Sequence, residues 1–62
     1  MSIRLIALEL YNIMREVEAL ESRIQALPPT DQTGRADLER ELRKAKAEQE
    51  RIRKMLESAK SG

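Results

Sequence analysis

Apolar side chains fall at Ile3, Ile6, Leu10, Ile13, Val17, Leu20, Ile24 and Leu27, in alternating steps of three and four residues. An α-helix advances 3.6 residues per turn, so this spacing draws one aliphatic stripe along one side. Unbroken heptads with aliphatic a and d positions specify a helix that lies along another helix. A second stripe follows at Leu38, Leu42, Ala45, Gln49, Ile52, Leu56 and Ala59, with the same alternation. Between the stripes lie Pro28-Pro29 and a polar stretch containing Gly34. Proline offers no amide donor and pushes the preceding residue out of the helical region, so the first helix must stop there.

The pattern predicts an all-α fold, an antiparallel hairpin of two long helices in a single domain spanning residues 1–62. Helix 1 is expected over about residues 2–27, a loop over 28–33 and helix 2 over about 34–60. So short a link brings the helices back as antiparallel neighbours. Ser2 is the expected cap of helix 1, and Thr33, with Asp31 as its rival, that of helix 2. The register that matches a to d positions pairs Ile24 with Leu38, Leu20 with Leu42, Val17 with Ala45 and Ile13 with Gln49. It continues through Leu10 with Ile52, Ile6 with Leu56 and Ile3 with Ala59. Gln49 is the one polar residue of the second stripe. It reads either as a buried amide that fixes register or as an amide at a wet edge.

The first half of helix 1 carries more than its seam. Leu5, Ala7, Leu8, Tyr11 and Met14 project away from the stripe, and only Arg4, Glu9 and Asn12 are polar between residues 3 and 14. A helix that is apolar nearly all round is normally surrounded by protein or lipid. Met55 lies off the second stripe at the same end of the hairpin, whereas the loop end is charged outside its seam. Leu5, Leu8, Tyr11, Met14 and Met55 are therefore the expected interface.

Length and composition sharpen that expectation. A chain of 62 residues lies where one core barely offsets chain entropy. Small chains usually respond with disulfides, a metal or self-association. Here cysteine and histidine are absent, which excludes disulfides and removes the usual zinc ligands. Two hairpins forming a homodimeric four-helix bundle are the expected solution, with a groove for a helix of another protein as the second possibility. A membrane-surface helix is disfavoured, because basic residues do not flank the apolar face. The apolar N-terminal segment is interrupted by Arg4, Glu9 and Asn12, so neither a secretory core nor a membrane span is expected and the default location is cytoplasmic.

Little points to catalysis. Without histidine or cysteine there is no Cys–His or Ser–His pair, and with only Gly34 and Gly62 there is no phosphate-cradling loop. Glu41 and Glu48 stand a heptad apart, but nearly every acid of helix 2 has a base three or four residues away, as in Glu39–Arg43, Lys44–Glu48, Lys46–Glu50, Glu50–Lys54 and Arg53–Glu57. That is the pairing of a solvated helix. No enzyme activity, cofactor or metal is expected.

The net charge of +1 provides no general attraction to nucleic acid. One basic stripe remains: Arg40, Arg43, Lys44, Arg51 and Lys54 fall within about a third of the circumference of helix 2. A nucleic-acid-binding dimer using it is the alternative to a protein scaffold, adaptor or co-chaperone. Against that alternative, acids flank the stripe and Tyr11 is the single aromatic, so no stacking platform exists. In length and pattern the chain is similar to the RNA-binding hairpins of the repressor-of-primer family and to small hairpin co-chaperones of bacterial export systems. The likeness lies in architecture, which does not fix function.

Overall fold

Helix 1 ends where proline requires. In the computed structural model, which describes residues 2–61, α1 runs over Ile3–Ala26 and α2 over Gln32–Ser61. Leu27 has left the helix, with φ −69° and ψ 143°, as the Pro28 ring demands. Its amide donates to the Ile24 carbonyl at 3.2 Å. Asp31 then accepts the role that Thr33 was expected to fill. Its Oδ1 receives the Gly34 amide at 2.9 Å and its carbonyl receives the Arg35 amide at 3.1 Å. The helix therefore starts two residues before the expected Gly34, and Thr33 and Gly34 lie in its first turn. Gly34 has no positive φ. It leaves room instead, since a Cβ there would sit 2.5 Å from Asp31 Oδ2.

The N-terminus also departs from expectation. Ser2 occupies the cap position with extended backbone, but its hydroxyl makes no capping bond. Its carbonyl accepts the Ile6 amide at 3.1 Å instead. At the other end α2 continues through Ser61, whose hydroxyl donates to the Glu57 carbonyl at 2.8 Å.

The two helices pack side by side as a hairpin measuring 49 × 14 × 13 Å. Ile6, Val17, Leu20 and Ile24 of α1 and Ala45 and Ile52 of α2 are the buried residues of the seam. At its centre Val17, Leu20 and Ala45 form one cluster, against which Ile13, Leu38 and Leu42 pack. This grouping fits the expected register, in which Val17 meets Ala45 and Leu20 meets Leu42. Gln49 is half-buried and makes no side-chain hydrogen bond among the described residues; no buried polar atom there is left unsatisfied, so its amide is at a wet edge.

The seam is thin. Ile3 carries the heptad pattern yet remains 47% exposed. It lies in the first turn, level with the small Ala59 in this register, which covers little of it. Ion pairs form along α2 at the shorter of the two expected spacings, though not between the partners named above. Asp37–Arg40, Glu41–Lys44, Glu48–Arg51 and Glu50–Arg53 close over three residues, and none of the five four-residue pairs forms. In every observed pair the acid precedes the base, the order the helix dipole favours; three of the five expected pairs have the reverse order. One further pair, Lys46 Nζ to Glu21 Oε2 at 3.5 Å, ties the helices together along one flank.

Candidate interaction surface

Helical geometry distributes the exposed apolar residues of α1 around three of its sides. At about 100° per residue, Ile3, Ala7, Leu10 and Met14 align on the flank that also carries Glu21, where Lys46 bridges the helices. Leu8 and Tyr11 face away from α2. Leu5 turns to the opposite flank, where Glu9, Asn12 and Glu16 share a shallow groove with Glu48 and Ile52. Met55 of α2 falls on this second flank as well. The five expected interface residues therefore form a girdle around the N-terminal half of α1, not one continuous patch.

Exposure separates them further. Leu5, Leu8, Tyr11 and Met14 are 57, 54, 55 and 43% exposed, whereas Met55 is half-buried. Ile3 belongs with the exposed set although its heptad position assigned it to the seam. The clue available in the sequence was its second spacing, since Ile3, Ala7, Leu10 and Met14 also step by four and three. Tyr11 is held in place by Arg15, whose guanidinium donates to the phenol oxygen at 3.0 Å and lies 5.8 Å from the ring centroid.

The basic stripe of α2 is largely neutralised. Arg40 lies 3.7 Å from Asp37, Lys44 lies 4.0 Å from Glu41, and Arg51 is bonded to Glu48. The hydrogen bond from Arg51 to Glu48, reinforced by that carboxylate's charge, raises the Arg51 guanidinium above its ordinary pKa. Arg43 and Lys54 are left without an ion-pair partner among the described residues. Two free cations in a stripe of five make a weak phosphate track.

Nothing gathers chemistry. The grooves beside the seam are shallow and open, one lined by Glu21, Gln25 and Glu39 over Ile24 and Leu42, and another by Glu16, Glu41, Lys44 and Glu48. Among the described residues no three acidic side chains converge as a metal site. No helix of the described residues is long and apolar enough to cross a membrane.

Comparison with protein-family models, with curated proteins and with solved structures finds no match. The surface itself is the guide to function.

Proposed function

We propose that this chain is a non-enzymatic interaction module, a small scaffold, adaptor or co-chaperone, that works as a homodimer through helix packing. The observation that carries this reading is the exposed girdle of Ile3, Leu5, Leu8, Tyr11 and Met14. A monomer of 7.2 kDa normally presents about 4,100 Å² of surface. This hairpin presents 4883 Å². The excess, roughly 800 Å², is close to one partner's share of a standard protein interface. A second hairpin laid alongside, giving four helices, would bury much of it. Because the girdle occupies three sides of α1, one neighbour does not cover it. Leu5 and Leu8 remain as a place for a helix of another protein. A cytoplasmic location belongs to this reading and is tested by fractionating host cells.

The experiment is a paired substitution on the exposed flank, Ile3→Glu with Met14→Glu. Light scattering is expected to move from dimer toward monomer, or circular dichroism to lose helical signal. Unchanged mass together with unchanged helicity overturns the reading.

A further inference from the structure

We infer that the second copy packs against Ile3, Ala7, Leu10 and Met14 with its own helix α1 running antiparallel, about a two-fold axis that passes between residues 8 and 9. The inference rests on the homodimer proposed above and specifies its geometry.

The argument begins with spacing. These four residues are separated by steps of four, three and four, a sequence of steps that reads the same in both directions. An antiparallel pairing of the segment with itself therefore places Ile3 opposite Met14 and Ala7 opposite Leu10, each pair twice. The isologous contact that a two-fold axis requires is met without adjustment. Size is matched as well as spacing. The methyl of Ala7 leaves the hollow that Leu10 of the other copy fills. A parallel pairing would instead set Ala7 against Ala7 and Leu10 against Leu10, leaving a void in one layer and crowding the next. The stripe is unsatisfied in the hairpin, with Ile3 47% and Met14 43% exposed and Leu10 half-buried.

Charge selects the same direction. Glu18 stands on the outer edge of this stripe and Arg4 on the adjoining outward face beside Tyr11, both exposed and neither ion-paired among the described residues. In the antiparallel arrangement Arg4 of one copy and Glu18 of the other are about five residues apart along the axis, some 7.5 Å. Side chains lean toward the N-terminus of their own helix, so these two lean toward each other. Running parallel, the same contact would oppose Arg4 to Arg4 and Glu18 to Glu18.

The chain has no cysteine, so thiols can be introduced singly. Ile3→Cys and Met14→Cys variants are mixed, oxidised mildly and read by intact mass, with circular dichroism to check that each folds. The expected product is the mixed disulfide joining position 3 to position 14. Each variant alone should cross-link poorly, because identical positions lie about 16 Å apart along the axis and a disulfide needs Cα atoms within about 7 Å. A second measurement reverses the edge charges. Arg4→Glu and Glu18→Arg should each weaken the dimer about tenfold through two symmetric pairs, and the double variant should restore it. Efficient same-position cross-links in a dimeric sample, or a dimer with no cross-link between 3 and 14, overturn this geometry and leave the homodimer standing. A monomeric wild-type chain overturns both.

Discussion

Two isoleucines occupy seam positions of the heptad pattern, and the structure assigns them different energetic weights. Ile52 lies in the seam at 5% exposure, while Ile3, at the end of the hairpin, is 47% exposed. Isoleucine to alanine removes three carbons, worth about 0.8 kcal/mol each when fully buried, or about 2.4 kcal/mol. At Ile52 almost all of that is lost, and an incompletely collapsed cavity adds to it, so Ile52→Ala should cost about 3 kcal/mol per chain. At Ile3 about half of the transfer energy applies within the hairpin and no cavity is enclosed, giving about 1.2 kcal/mol. A domain of this size holds only about 3–9 kcal/mol in total, so Ile52→Ala should lose at least about a third of its stability, and Ile52→Val, at about 1 kcal/mol, provides a measurable intermediate. Urea unfolding followed by circular dichroism, at one fixed protein concentration, reads these differences. The Ile3→Ala cost should grow at concentrations near the dimer's dissociation constant, because there Ile3 acts through association. Equal costs for Ile52→Ala and Ile3→Ala at every concentration would refute the placement of the seam.

Two other predictions follow from local geometry. Asp31→Ala should destabilise by about 1 kcal/mol through loss of the α2 cap, whereas Thr33→Ala should lie within about 0.5 kcal/mol of wild type; the reverse order in thermal melts would show that Thr33 is the cap after all. Duplex RNA should show no measurable binding at about 50 mM salt, since three cations of the α2 stripe are paired with acids. Salt-sensitive binding that is lost on Arg43→Glu with Lys54→Glu would reinstate the nucleic-acid alternative.

The hairpin was legible because its signal is redundant. Each stripe repeats over many turns, and the double proline leaves no other place for the chain to reverse. The pairing of Val17 with Ala45 followed from the length of the link. Details that depend on a single bond were less visible. Asp31 and Thr33 are both good capping residues two positions apart, and only the tightness of the turn, with the Asp31 amide donating to the Pro28 carbonyl at 3.0 Å, selects the first. Ion pairs at three and four residues are nearly equivalent in reach, so the sequence does not choose between them. The apolar girdle was legible as composition but not as shape. Counting hydrophobic residues between 3 and 14 identified Leu5, Leu8, Tyr11 and Met14, whereas their division between flanks, and the place of Met55 beside Leu5, emerges only when the two helices are set side by side. The exposure of Ile3 was hidden for a related reason: periodicity states which side a residue faces, not whether the facing helix has anything large enough to cover it.

The proposed homodimer rests on the thinness of the seam between α1 and α2. Analytical ultracentrifugation of the wild-type chain at micromolar concentration tests that directly, with circular dichroism on the same sample. A helical species at twice 7.2 kDa, whose melting temperature rises with concentration, is the predicted result. A fully helical, cooperatively melting species of 7.2 kDa that is unchanged by dilution would contradict it.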